Sequence, residues 1–181
     1  GWLDADNDPA TPRTAQGVSG VADGTPFRLT YHTTDSALRQ KAAAWFADSL
    51  GQCGIQVEVQ ISNSAELFAA GPDGPIFGRQ FDLVQFTWVG GSQPPCYLYE
   101  TYQIPSAENL WIGANVSGFS SPEFDAACRA LRETRPEEGD LLQSRSAEVS
   151  RLFAAHRQAI VHHRARLAAL HAARQRVGPV L

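Results

Sequence analysis

Phe27 to Ser62 reads FRLTYHTTDSALRQKAAAWFADSLGQCGIQVEVQIS. At its start Phe27, Leu29 and Tyr31 alternate with Arg28, Thr30 and His32, the period of a strand with one buried face. At its end Ile55, Val57, Val59 and Ile61 alternate with polar residues in the same way. Between them Leu38, Ala42, Trp45, Phe46 and Leu50 fall on one helical stripe, while Arg39, Gln40 and Asp48 face away. Thr34, Asp35 and Ser36 offer helix caps, and Gly51 and Gly54 stop the helix. Strand, helix and strand make a βαβ unit, which predicts parallel strands joined by a right-handed crossover.

Working outward, Ser64 to Ala70 reads as a short helix and GPDGPIFG as a turn-rich bridge to a third strand, DLVQFTW. That strand ends on Trp88 and spills into VGGSQPPC, where paired glycines and paired prolines exclude both helix and ladder. A large aromatic there either caps a core or faces a ligand. Residues 89–117 read as a long structureless loop holding Tyr97, Tyr99, Tyr102 and Trp111, too aromatic for disorder and of the length that usually serves function. Ser120-Ser121-Pro122-Glu123 opens a helix with the apolar face Phe124, Cys128 and Leu131. A second helix, Glu137 to Ala155, turns Leu141, Leu142, Val149, Leu152 and Phe153 inward. From Arg157 to Leu181 two short strands and a continued Ala/Arg-rich helix both fit. Residues 1–26 read as an irregular lead-in, and 1–181 as a single α/β lobe with a mixed sheet and flanking helices.

Composition bounds the function. With 43% hydrophobic and 19% charged residues, the chain has the make-up of an ordinary globular domain. A net charge of −4 argues against a nucleic-acid partner, which would want a basic footprint. The sign is uneven: residues 1–110 hold 5 Arg/Lys against 12 Asp/Glu, and 111–181 hold 10 against 7. No stretch has the length of a membrane span and no signal peptide is visible. The start at Gly1 and the absence of Met suggest a piece of a longer protein. Cys53, Cys96 and Cys128 lack metal-ligand or redox spacing. In an exported protein one disulfide, Cys96 with Cys128, and one buried free thiol fit that count, and three small buried hydrophobes fit it equally.

Chemistry-bearing motifs are sparse. Asp4, Asp6 and Asp8 imitate the start of a calcium loop, but Pro9 and Ala15 stand where Gly and Glu are needed. His156, His162, His163 and His171 lack ligand-pair spacing, so neither a metal nor another cofactor is expected. Asp82, Glu100 and Glu108 could pair as acid and base, yet nothing brings them together, and no nucleophile elbow, phosphate loop or zinc-protease motif occurs. No catalytic residue is assigned, and an enzyme is not expected. An aromatic at a strand end followed by a Gly/Pro loop suits a ligand wall, because sites in α/β proteins lie beyond the carboxyl ends of parallel strands.

The ordered set GWLDAD, GTPFRLTYHTT with Arg39 following, LGQCGIQVEVQ, FDLVQFTW and NVSGFSSPEFDAACRAL resembles the C-terminal lobe of bacterial ABC-transporter solute-binding proteins, family 5, the peptide and nickel type. The resemblance implies a periplasmic-binding-protein-like lobe (type II) that closes over a peptide-like or other small solute against a missing N-terminal lobe. It also implies delivery to ABC permease subunits, and a periplasmic or extracellular location with the full-length protein anchored as a lipoprotein. The ligand-facing residues would be Trp88, Gly90, Gly91, Tyr97, Tyr99 and Trp111. In the family's peptide-binding members an Asp three residues after the strand-ending Trp pairs with the ligand's ammonium, and that position here is Gly91. Losing a desolvated counter-charge costs on the order of 3–5 kcal/mol, so peptide N-terminus recognition would need Glu100 or the missing lobe. Phe119 and Ser121 replace the family's Tyr and Asn, and Asn115 matches. Two other readings compete: a piece of a hydrolase or transferase with its catalytic groups elsewhere, and a sensor-type binding module.

Overall fold

The computed structural model describes residues 1–89 and 94–155, which fall into two compact units. One is Gly1–Leu67 with Phe81–Phe86, and the other is Phe68–Gln80 with the described residues from Thr87 onward.

The first unit is the βαβ element. Strand β3 (Arg28–Thr34) pairs in parallel with β4 (Gln56–Ser62) along its whole length, from Arg28 opposite Gln56 to Thr34 opposite Ser62. Helix α1 (Ala37–Gly51) makes the crossover and packs on both strands. The third strand, β5 (Leu83–Gln85), joins the other side of β3 in parallel, giving the order β4-β3-β5. All ladder pairs in this sheet are parallel. Antiparallel pairing is confined to a hairpin in the lead-in, β1 (Trp2–Leu3) with β2 (Thr14–Ala15), so residues 1–26 are more ordered than their composition suggests. Trp2 stacks on Phe27 at 4.3 Å, which ties that hairpin to the root of β3.

Three details depart from the sequence reading. The buried side of α1 runs through Ala42, Ala43, Phe46 and Leu50, whereas Leu38 and Trp45 are 77% and 72% exposed. Apolar side chains lie on both sides of this helix, so periodicity does not choose between them. The alanines let the helix approach the sheet closely, and Phe46 alone projects a ring onto Tyr31, at 5.5 Å. Ser36 occupies the N-cap without a side-chain cap bond. Thr34, instead of capping, accepts a 2.6 Å bond from the Arg39 guanidinium. Cys53 is exposed, not buried, because the chain turns outward through Gly54 at φ +70°, pressed against the Arg13 stem.

The second unit is built around helix α3 (Pro122–Glu133) and a helix over 139–155, here α4. Ser121 caps α3 by accepting from the Phe124 N–H at 3.3 Å, with Pro122 in the first turn. The core gathers Phe119, Phe124, Cys128, Leu131 and Val149, with Tyr99, Leu142, Leu152 and Phe153 packed against it. Leu141 stays 42% exposed, one position off that face. The disulfide Cys96–Cys128 lies within this core. Helix α2 (Ser64–Leu67) ends the first unit, and the chain then enters the turn-rich bridge. The tail beyond 155 and its four histidines lie outside the described residues, as do Gly90 and Gly91.

Candidate functional site

β5 is shorter than the apolar run that encodes it. Its ladder to β3 covers Tyr31 to Thr33 only, and β3 itself ends one residue later, so the partner runs out before the tryptophan. Trp88 therefore lies three residues past the strand, half-buried, in the loop and not at the strand's tip. Its neighbour Val89 is 86% exposed. The Tyr97 hydroxyl donates to the Val89 carbonyl at 2.9 Å, so the structure brings Tyr97 beside the Trp88–Val89 segment. Tyr97 keeps a partly exposed ring.

Tyr99 and Trp111 are placed differently. The Tyr99 ring sits 4.3 Å from Phe153 and edge-on to Phe119 and Phe124, inside the aromatic cluster of the second unit. Trp111 lies over the backbone of Gly71, where a Cβ would come within 2.7 Å of the indole's own Cβ. Leu110 and Trp111 both adopt left-handed backbone, φ +56° and +61°, and the exposed side chains of Leu110 and Ile112 flank the packed indole.

The loop predicted to be structureless is tightly bonded. It contains three short 3-10 turns, Cys96–Leu98, Thr101–Gln103 and Ala107–Asn109. Asn115 is fully buried and its amide donates to the carbonyls of Glu100 and Phe119, while its own carbonyl accepts from Ser117. Asp125 at the start of α3 accepts from the Thr101 N–H at 2.9 Å. Glu100, only 2% exposed, is held by Arg132 at 2.6 and 2.7 Å. The hydrogen bond to that carboxylate is the main influence raising the Arg132 pKa. These anchors escaped sequence reasoning, because a buried polar side chain and an exposed one look alike in a sequence. Only the N-x-x-G spacing of Asn115 and Gly118 hinted at them.

Asp82, Glu100 and Glu108 do not converge. Asp82 accepts from the N–H and hydroxyl of Thr30, Glu100 serves Arg132, and Glu108 accepts from Ser106. Asp6 closes a solvent-exposed turn by accepting from the Asp8 N–H and Thr11, and those bonds hold its pKa below the usual value. Among the described residues no cluster of His, Cys, Asp or Glu is arranged to hold a metal. A groove of about 390 Å³ in the first unit, lined by Pro9, Pro12, Asp48, Gln52 and Ile55, contains none of the six candidate residues.

Comparison with solved structures gives the class of the fold: it is that of the solute-binding proteins of family 5. An oligopeptide binding protein from Thermus thermophilus, complexed with a pentapeptide, matches 81% of this chain at a TM-score of 0.61 and 24% identity. AppA, an oligopeptide-binding protein from Bacillus subtilis in complex with a nonapeptide, matches 82% at 0.59 and 18% identity. NikA from Brucella suis, in complex with Fe(III)-EDTA, matches 84% at 0.55 and 16% identity. The chain spans 25%, 26% and 27% of those three proteins respectively, about a quarter of each. No protein-family profile matches the sequence, and no curated protein sequence does.

Proposed function

We propose that this chain is part of the extracellular solute-binding component of an ABC importer, a lobe that captures a small solute in a cleft closed by a second lobe and delivers it to a membrane permease. The single observation that carries the reading is Trp88: it lies past the end of a parallel strand, half-buried, with exposed Val89 and Tyr97 beside it. A ring in that position has an apolar face to offer a ligand. Gly90 and Gly91 would let the ligand approach the backbone. Tyr97 shares this segment. Tyr99, in the aromatic cluster, and Trp111, over Gly71, are secondary contacts. The solutes held by the similar structures, a pentapeptide, a nonapeptide and a metal chelate, support a cleft that takes peptide-like or other polar solutes.

Ligand chemistry can be narrowed. Gly91 brings no carboxylate, and Glu100 is buried against Arg132, so neither serves as the counter-charge for a peptide ammonium. A peptide-like solute would then be gripped on this lobe through its side chains or its carboxyl end. The periplasmic or extracellular setting and the lipid anchor belong to the same proposal. No helix among the described residues is long and apolar enough to cross a membrane.

The test uses the full-length protein. Small molecules released by denaturing the purified protein are identified by mass spectrometry, then titrated calorimetrically into protein stripped of solute. A solute that co-purifies and rebinds with one-to-one stoichiometry is the expected result. Turnover of generic ester or phosphate substrates, with no rebinding solute, would instead favour the hydrolase or transferase reading.

A further inference from the structure

Among the described residues Arg79 is a cation without a counter-charge. The bridge that carries it is a closed turn: Arg79 N–H donates to the Ile76 carbonyl at 3.0 Å, and Gln80 donates to the carbonyls of Pro75 and Pro72. Gly74 and Gly78 admit carbonyl oxygens where a Cβ would stand, at 1.9 Å in each case. This packing holds residue 79 in the left-handed region, φ +55°. Its guanidinium is laid across Gly118, itself at φ +67°, so closely that a Cβ there would come 2.0 Å from one terminal nitrogen of the guanidinium. The side chain is half-buried, and burial alone lowers its pKa. Among the described residues no carboxylate lies within ion-pair distance of it, and the Arg132–Glu100 pair is separate.

A partly desolvated charge with no carboxylate beside it carries some cost, which a bound anion would offset. The turn fixes the backbone of residue 79, and Gly118 lets the guanidinium lie close against it, while no hydrogen bond among the described residues uses its planar fork of donors. Such a fork matches a carboxylate by two parallel hydrogen bonds.

We propose that Arg79, seated on Gly118, is an oxyanion site that takes the carboxylate of a small ligand. The site stands apart from the transport reading: it binds a carboxylate whether or not a permease exists. The structural alternative is a strut, in which some other carboxylate of the protein completes an ion pair.

The experiment follows arginine side-chain N–H resonances in protein labelled with isotopic arginine, as sodium acetate replaces sodium chloride at constant ionic strength. The Arg79 signal is assigned by its loss in Arg79→Met. A saturable shift of that signal is expected, with chloride at least about 10-fold weaker, as befits a bidentate carboxylate contact. Arg79→Met is expected to melt at or above the wild-type temperature, because it removes a half-buried charge that has no carboxylate partner among the described residues. Arg79→Lys, which keeps the charge but loses the fork, should bind acetate at least about 10-fold more weakly. No saturable response to acetate would overturn the proposal. So would a fall of several degrees in the Arg79→Met melting temperature, since that would mark the guanidinium as a strut.

Discussion

The first unit is a parallel sheet whose every strand residue has a partner at a fixed register, with one helix laid across it. The second holds two helices and a long loop pinned by a disulfide, a buried carboxylate, a buried amide and two glycine contacts. The difference teaches how each resists change. Ladder bonds and alternating valines are many and individually modest, so a single substitution removes little. The loop's anchors are few and unlike one another, and each closes a long stretch of chain. The second unit should therefore be the more brittle of the two.

Removing the disulfide gives the largest expected effect. Cys96 and Cys128 are 32 residues apart, and a closed loop of that size contributes about 3–4 kcal/mol through the unfolded chain. Cys96→Ser with Cys128→Ser should lower the melting temperature of the second unit first. Hydrogen exchange should show its amides losing protection while those of β3 and β4 keep theirs. Uniform loss across both units would break the comparison.

Asn115→Ala comes next. It deletes an amide that donates to two carbonyls inside the loop, and although the Glu100 carbonyl keeps the Gln103 N–H, the loss of both bonds should cost about 2–3 kcal/mol. Denaturant unfolding measures it. In the first unit, Phe46→Ala should cost about 2–3 kcal/mol through lost contact with Tyr31, while Trp45→Ser, one position along, should fall within about 0.5 kcal/mol of wild type. That pair decides which side of α1 is the packed one.

How much of this was legible follows the same division. The strands around Phe27–Thr33 and Ile55–Ile61 were readable because alternation is a property of neighbours in sequence. The face of α1 was not, since Leu38, Trp45 and Phe46 are equally apolar and only the sheet chooses among them. The pairing of Cys96 with Cys128 matches one of the two readings that the cysteine count allowed. Asn115, Glu100 with Arg132, and Arg79 on Gly118 left no periodic trace, because each depends on residues that meet across long separations. Trp88 was visible as an anomaly at the end of an apolar run. Its distance from β5 came from where β3 stops, which no local pattern records.

A smaller effect concerns pH. His32 lies on β3, with Asp82 and Glu58 as the charges acting on it. Burial lowers its pKa below the ordinary 6.5, and the two carboxylates offset part of that. A lowered histidine binds fewer protons folded than unfolded, so its contribution is intact above pH 6.5 and is lost as pH falls below that value. Melting curves of His32→Gln should therefore lose less stability than wild type on going from neutral to mildly acid buffer, with equal stability at higher pH. Identical acid slopes would contradict it.

The central claim, that the Trp88 ring faces solute and is not part of the core, is tested most directly by one substitution. Trp88→Ala in the solute-free full-length protein should lower the melting temperature by only a few degrees, as befits a half-buried ring. It should also weaken binding of the solute eluted from the wild type by at least about 10-fold, the worth of one aromatic face. Unchanged affinity, or a melting temperature lowered as far as a core tryptophan would lower it, would contradict the claim.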